Sequence, residues 1–242
     1  PNGAGKTTAF NCITGVYQPT NGVVSFEGTP IVRAHPTGKM KKSYLGENAE
    51  MYIGKHIINP TPDKVTKLGI ARTFQNIRLW KSMTVFDNVL TAKHMLSKQN
   101  VISATFRLSK AEDKRMVDET EALLEEQGLL KYRDDLAVSL PYGLQRRLEI
   151  ARALATNPSL MVLDEPTSFL DIRYKLEILS TLKELVRQRQ LAVVLSLHEL
   201  DLAQRVSDLV VCVHNNAIER CGPPEAVFTS DYITTLYELT QG

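Results

Sequence analysis

The sequence predicts an α/β fold in which helices alternate with the strands of a mostly parallel sheet. Two apolar runs, Leu160–Leu163 and Leu191–Leu197, have the length and composition of strands that are buried on both faces. A helical pattern over residues 172–190 lies between them. Two parallel strands need such a crossover connection, and its right-handed form is strongly favoured.

Composition limits the class of protein. With 242 residues, of which 43% are hydrophobic and 23% charged, the chain is typical of a soluble globular protein. Its net charge of +2 gives no argument for a nucleic-acid partner. Its longest apolar runs are shorter than the roughly 18–20 residues of a membrane-spanning helix. Cys12, Cys212 and Cys221 lack metal-binding spacing and are typical of reduced thiols in a cytosolic protein.

The first residues match the phosphate-binding pattern G-x-x-x-x-G-K-[ST] without its leading glycine. The residues concerned are Asn2, Gly3, Ala4, Gly5, Lys6, Thr7 and Thr8. The two glycines permit a tight turn whose backbone N–H groups converge on phosphate oxygens. Lys6 adds a charge for the β- and γ-phosphates, and the Thr7 hydroxyl can ligate Mg²⁺. A helix over residues 6–14 would present its N-terminus to the anion. The alternative is an ordinary glycine-rich turn.

The next part of the chain is harder to assign. A short strand is predicted at Val23–Phe26, and residues 68–75 form another ordered segment. Residues 28–66 are polar and rich in Gly, Pro, Asn and Lys, so we expect an insertion with weak structure. Residues 76–140 have a helical pattern, and a capping box at residues 109–112 opens one of the helices.

The second half contains clearer boundaries. A helix is predicted from Tyr142 to Thr156, where Asn157-Pro158 stops it. Residues 210–213 and 217–220 are predicted to form a hairpin, because Asn215-Asn216 joins two apolar runs. A short helical tail follows Gly222.

Polar side chains follow the predicted strands at positions that suit catalysis. Asp164 and Glu165 end one apolar strand, where a carboxylate can hold Mg²⁺ and another can polarise an attacking water. His198 follows the next strand and can hydrogen-bond a γ-phosphate. Gln75 ends the segment 68–75, and its amide can reach both metal and water. Each residue alone has an ordinary alternative: a chance Asp-Glu pair, a capping or core histidine, and a surface glutamine.

Together these motifs resemble the ATPase subunit of ABC transporters. The strongest addition is the stretch LPYGLQRRLEIARAL at residues 140–154, which is similar to the family's L-S-G-G-Q signature and its helix. The resemblance implies a P-loop NTPase core with an inserted helical subdomain. It also implies a head-to-tail dimer in which each ATP lies between one phosphate loop and the partner's signature. Residues 168–171 match a loop that touches the partner.

The resemblance implies these residue roles. Catalysis would involve Glu165, His198 and Gln75, and Mg²⁺ would be held by Thr7, Gln75 and Asp164. ATP would be bound by residues 2–8 and, across the dimer, by Gly143. The implied domains are residues 1–76 for the first part of the core, 77–140 for the helical subdomain and 141–242 for the remainder.

Some residues depart from the family pattern. The family has strands upstream of the phosphate loop, so we expect a chain that is truncated at its N-terminus. Pro141 stands at the signature serine and Leu144 at its glutamine, and proline supplies neither a hydroxyl nor an N–H. Only Gly143 of the signature is therefore carried over.

The two halves of the chain resemble different branches of the family. Residues 1 to about 158, which include RTFQNIRLW, look like branched-chain amino acid importers. The remainder, with PTSFLDIRYKLEIL, looks more like iron-siderophore or cobalamin importers. A natural recombinant, an assembly artefact and an engineered chimera all remain open.

The predicted function is the ATP-hydrolysing subunit of an importer at the cytoplasmic face of the membrane. Branched-chain amino acids lead as substrate, because the amino-acid-importer-like half contains the surface that contacts the permease in the family. The expected partners are a second ATPase subunit, transmembrane permease subunits and, indirectly, an extracytoplasmic substrate-binding protein. A siderophore or cobalamin importer is the first alternative. A soluble ABC ATPase acting on DNA or ribosomes, and a nucleotide-binding fragment without turnover, are the others.

Overall fold

The computed structural model describes residues 3–20, 22–34, 60–95, 110–229 and 231–233. The described strands are β1 (Val23–Phe26), β2 (Thr29–Arg33), β3 (Ile70–Thr73), β4 (Leu160–Leu163), β5 (Ala192–Leu195), β6 (Val210–His214) and β7 (Ala217–Gly222). The described α-helices are α1 (Lys6–Ile13), α2 (Pro62–Lys67), α3 (Val85–His94), α4 (Lys110–Glu126), α5 (Tyr142–Leu154), α6 (Ile172–Arg189), α7 (Leu200–Val206) and α8 (Pro224–Val227). Short 3-10 helices lie at Leu130–Tyr132 and Ala137–Ser139.

The predicted parallel sheet is confirmed. Strands β3, β4 and β5 lie side by side in that order, and both pairs are parallel. Their last residues, Thr73, Leu163 and Leu195, stand opposite one another. The residues that follow each strand therefore meet at the same edge of the sheet, which is where ligands bind in open α/β sheets.

Two antiparallel hairpins accompany this sheet. The hairpin of β6 and β7 confirms the prediction, although its strands extend slightly further than expected. The hairpin of β1 and β2 shows that the expectation of weak structure over residues 28–66 is wrong for part of that range. Its tight turn has positive φ at Glu27 and Gly28, the geometry of a two-residue hairpin turn. Pro62 opens α2 in the same range, because proline suits the first helical turn.

The core lies on both faces of β4. Met161 and Leu163 point into the larger cluster of buried side chains, whereas Val162 packs with Phe10 and Ile70 in a smaller one. Neighbouring strand residues face opposite sides of a sheet, so a strand covered on both sides is apolar throughout. In the part of the chain that the structure describes, we find no helix both long and apolar enough to cross a membrane.

The predicted helix boundaries hold to within a few residues. The helix expected at 142–156 is α5, which ends at Leu154, and the helix expected at 172–190 is α6, which ends at Arg189. Asp171 caps α6, because its side chain accepts a hydrogen bond from the backbone of Tyr174 at 3.0 Å. The predicted capping box begins at Ser109, which lies outside the described residues.

Candidate active site

The glycine-rich loop turns directly into α1. Gly3 and Gly5 have φ values of +77° and +93°, a backbone region that L side chains rarely adopt. Gly5 forms the N-cap of α1, so the N–H groups of the first helical turn point towards the loop. Ala4 is buried, whereas Thr7 and Thr8 are exposed. Asn2, which we also assigned to this loop, lies outside the described residues. The loop therefore has the backbone geometry that an anion-binding turn requires.

Asp164 lies just beyond β4 and is 1% exposed. Its Oδ1 atom accepts a hydrogen bond from Ser196 Oγ at 3.0 Å and another from Thr7 Oγ1 at 3.3 Å. The second contact brings the predicted metal ligands Thr7 and Asp164 together, although they are 157 positions apart in the sequence. A hydroxyl and a carboxylate are hard oxygen donors of the kind that Mg²⁺ prefers. This donor set fits the cation that the family resemblance implies.

Arg72 on β3 is a partner of this carboxylate that the sequence analysis missed. Its guanidinium lies 3.3 Å from Asp164 Oδ2, and both side chains are almost fully buried. It also donates hydrogen bonds to Asn11 Oδ1 at 2.6 Å and Thr14 Oγ1 at 2.8 Å. Burial lowers the pKa of Arg72, while the charge of Asp164 raises it. Arg72 thus connects the end of α1 with the acidic strand end.

Glu165 is the point at which three predicted catalytic residues converge. Its Oε2 atom accepts hydrogen bonds from Gln75 Nε2 and Ser168 Oγ, each at 2.9 Å. Its Oε1 atom contacts His198 Nε2. Partial burial acts to raise the pKa of the Glu165 carboxyl, but the hydrogen bonds from His198, Ser168 and Gln75 outweigh burial and leave that pKa below its ordinary value.

The backbone fixes where the Glu165 carboxylate lies. Glu165 has a φ of +48°, an uncommon value for a residue with a side chain. Its N–H donates to Ser196 Oγ at 2.9 Å, and the same hydroxyl donates to Asp164. Ser196 therefore holds both consecutive acidic residues. No sequence signal distinguishes this serine, since it precedes His198 without any motif of its own.

The loop that carries Gln75 is held by the helix α5. Arg146 on that helix donates hydrogen bonds to the backbone carbonyls of Phe74 at 2.9 Å and Gln75 at 2.8 Å. Glu149 accepts a hydrogen bond from the N–H of Arg78 at 3.3 Å. Burial raises the pKa of Glu149, and the charge of Arg146 opposes that effect.

Gly143 lies on a different element from the other predicted residues. It is a buried residue in the first turn of α5. A Cβ atom at this position would lie 2.8 Å from Cδ1 of Tyr174, so the ring packs directly against the glycine. Pro141 is the N-cap of α5 rather than a residue of its first turn, and no side chain caps this end. The structure therefore gives Gly143 a packing role within the chain.

Together these contacts form a site whose groups can bind a polyphosphate, hold a divalent cation and accept a proton from water. A helix N-terminus with a lysine and two threonines can bind a polyphosphate. The paired oxygens of Thr7 and Asp164 can hold a divalent cation. Beside them stands Glu165, an ionised carboxylate able to accept a proton from water, with His198 and Gln75 bonded to it. This arrangement suits phosphoryl transfer to water.

A loop of this kind beside an acidic strand end is typical of a P-loop nucleotide site. The chain belongs to the ABC transporter family, whose model matches residues 1–168. It is 32% identical over 229 residues to BraF, the "High-affinity branched-chain amino acid transport ATP-binding protein" of Pseudomonas aeruginosa, a match that covers 94% of this chain and 80% of BraF. It is 31% identical over 242 residues to LivG of Salmonella typhimurium, a protein of the same description, covering 98% of this chain and 84% of LivG.

The solved structures give the same fold. An ATP-binding cassette of an ABC transporter in its ADP conformation matches with a TM-score of 0.74 at 26% identity, covering 100% of this chain and 85% of that chain. A second structure, cbiO1 from Clostridium perfringens, described as part of the ABC transporter complex cbiONQ, matches with a TM-score of 0.69 at 22% identity and covers 99% of this chain and 81% of that chain. The second likeness concerns the fold alone.

Proposed function

We propose that this chain is the ATP-binding and ATP-hydrolysing subunit of an ABC importer, and that it energises uptake of branched-chain amino acids. The observation that carries the proposal is the convergence of Gln75, Glu165 and His198, beside the contact of Thr7 with Asp164. The names of BraF and LivG support the substrate class, because both are described as branched-chain amino acid transport proteins.

The phosphate loop binds the nucleotide in this proposal. The N–H groups of residues 2–8 surround the phosphates, and Lys6 compensates their charge. Thr7 and Asp164, with the amide oxygen of Gln75, would hold Mg²⁺. When bound, Mg²⁺ supplies neutralisation of the phosphate charge. Arg72 and Ser196 keep Asp164 in place for this role, since they bond to both of its oxygens.

Glu165 accepts the proton of the attacking water. A carboxylate whose pKa lies below its ordinary value is ionised at neutral pH, so it can act as an acceptor throughout the physiological range. His198 and Gln75 orient this carboxylate through direct contacts. We place the γ-phosphate near His198, whose ring follows the end of β5.

The site is completed by a second ATPase subunit in a head-to-tail dimer, in which Gly143 at the start of α5 approaches the partner's nucleotide. We further propose that the permease contacts the helical subdomain at residues 77–140. This part of the chain exposes the apolar side chains of Trp80 (44%), Met83 (36%), Leu136 (48%) and Val138 (50%). A backbone hydrogen bond from Ala137 to Met83 at 3.0 Å keeps the two exposed segments adjacent. The subunit then lies at the cytoplasmic face of the membrane, with a substrate-binding protein as an indirect partner.

A nucleotide-binding module without turnover is the second candidate. Pro141 favours it, because this N-cap residue offers no side-chain hydrogen bond and no N–H to a partner's phosphate. Phosphate release by the purified full-length protein separates the two candidates.

The test compares three variants with the unaltered protein. Glu165→Gln keeps the size of the side chain but removes the proton acceptor, so we expect ATP binding to persist and kcat to fall by about 100-fold or more. Lys6→Ala should instead weaken ATP binding itself. Glu184→Gln alters an exposed glutamate on α6 and serves as the matched control. An unchanged kcat in Glu165→Gln would remove Glu165 from the proposed role.

The substrate is tested in cells that lack the gene. Uptake of leucine should be lost and should return with the unaltered gene but not with the Glu165→Gln variant. Loss of ferric-siderophore or cobalamin uptake, with leucine uptake unchanged, would favour the alternative importer class.

A further inference from the structure

A buried charged pair connects the Gln75 loop to the signature helix. Arg146 and Glu149 on α5, which we call the anchor pair, are 0% and 1% exposed and contact each other at 2.6 Å. Together they bond to the backbone of residues 74, 75 and 78. The anchor pair therefore holds the backbone on both sides of Gln75, although it lies more than 70 positions later in the sequence.

The chemistry of the pair suits positioning more than stability. Burying two charges carries a desolvation penalty that their attraction often only balances, so such a pair is weak evidence of a stabilising role. Arginine differs from lysine here because its planar fork can bond to several acceptors at once. The guanidinium of Arg146 uses this fork for the carbonyls of Phe74 and Gln75 and for the carboxylate of Glu149.

Aromatic contacts extend the attachment along the same segment. The guanidinium of Arg78 lies 4.6 Å from the ring centre of Phe74. Arg152, also on α5, lies 5.0 Å from the ring centre of Trp80. Cation–π contacts of this length add to the hydrogen bonds and fix the direction in which the loop leaves β3.

We propose that Arg146 and Glu149 are positioning residues, which attach the Gln75 loop rigidly to α5 and so set the reach of the Gln75 amide to Glu165. This inference rests on the proposed function, since it assumes that Gln75 acts in ATP hydrolysis. Gly143 lies one turn before Arg146 on the same helix. The anchor pair thus connects two places. One is the start of α5, which in the proposed dimer faces the partner's nucleotide, and the other is the Gln75 loop, which belongs to the subunit's own ATP site.

The first test measures backbone protection, which does not depend on ATP turnover. Arg146→Lys keeps the charge but loses the fork, so the Arg78 amide, which donates to Glu149 at 3.3 Å, should exchange hydrogen about tenfold faster in the nucleotide-free protein. Arg147→Lys is the matched control, because Arg147 bonds to Glu177 at 2.8 Å and to the carbonyl of Gln127. Equal exchange rates of the Arg78 amide in both variants would overturn the proposal.

The second test asks whether Arg146 acts through Gln75. Arg146→Lys should lower kcat about tenfold and leave KM for ATP within about twofold. In a Gln75→Ala background the same substitution should change kcat by less than about twofold, because the group that it positions is gone. An equal loss of kcat in both backgrounds would overturn the proposal. Absence of phosphate release from the unaltered protein would instead count against the proposed function, and the exchange test would still decide the attachment.

Discussion

Gly143 provides a quantitative test of what the start of α5 requires. In Gly143→Ala, the new methyl group would lie 2.8, 3.0 and 3.1 Å from three ring atoms of Tyr174, including Cγ. These distances are shorter than an ordinary van der Waals contact. The ring packs against the larger cluster of buried side chains, so it cannot move away without disturbing other contacts. One side of this contact must therefore shift.

The magnitude follows from two opposing terms. Overpacking of a filled site costs about 2–3 kcal/mol, in the upper part of the usual range. Replacing glycine by alanine in a helix returns at most about 1 kcal/mol. The net loss is about 1–2 kcal/mol, which lowers Tm by about 2–8 °C in a protein of this size. Differential scanning calorimetry with and without the substitution measures this value.

A second background makes the test decisive. In Tyr174→Ala the ring is absent, so only the helix term remains and Gly143→Ala should raise Tm by about 1–4 °C. The reasoning is refuted if Gly143→Ala leaves Tm unchanged in the original protein, or lowers Tm to the same extent in the Tyr174→Ala background. An unchanged Tm would remove packing against Tyr174 as the reason for glycine at this position, and an equal loss in both backgrounds would assign that loss to a neighbour other than the ring.

Other substitutions test the acidic strand end and the helix start. Arg72→Met leaves Asp164 buried with fewer partners, so urea denaturation should give a loss of about 3–5 kcal/mol. Pro141→Ser adds a capping hydroxyl but removes a rigid residue, and these effects of about 1 kcal/mol each should nearly cancel in the same assay. The pKa of Glu165 in the folded protein is lowered, so the ionised carboxylate stabilises the fold. This stabilisation is fully present above the ordinary glutamate pKa of about 4.3 and disappears as the pH falls through the folded-state pKa. The free energy of unfolding of Glu165→Gln should therefore depend less on pH below about 4.5 than that of the unaltered protein.

The sequence predicted the parts of the fold whose signals are local. Strand β4 was predictable because a strand covered on both faces must be apolar at every position. The carboxylates that follow it could be assigned for the same reason, since the end of such a strand is the ligand edge of the sheet. Helix α6 was predictable from the helical pattern over residues 172–190, and it ends at Arg189, one residue earlier than expected.

Two elements were missed although local signals were present. The turn Glu27-Gly28 joins β1 to β2, and a glycine between two apolar runs is compatible with a hairpin. Thr61-Pro62 begins α2, and proline is common at the first helical position. The polar composition of residues 28–66 concealed both signals, because it suggested one uniform insertion.

The supporting residues of the site could not be predicted in the same way. Arg72 and Ser196 both contact Asp164, from which they are 92 and 32 positions away in the sequence. Arg146 contacts Phe74, which is 72 positions away. Arginine and serine are frequent on protein surfaces, so their type alone indicates nothing. The pairing of β3, β4 and β5 brings Arg72 and Ser196 to Asp164, and the packing of α5 against β3 brings Arg146 to Phe74.

The aligned ends of β3, β4 and β5 restrict how this protein can change over evolution. Successive residues of a strand point to opposite faces, so a deletion of one residue within β4 would exchange the directions of Val162 and Leu163 relative to the two cores. It would also withdraw Asp164 by about 3.3 Å from the level of Ser196, whose hydroxyl bonds to it. Insertions and deletions should therefore accumulate in the connections between strands, whereas the three strand lengths stay constant. Segments from distant relatives can be exchanged between strands only when they return the chain to the same register.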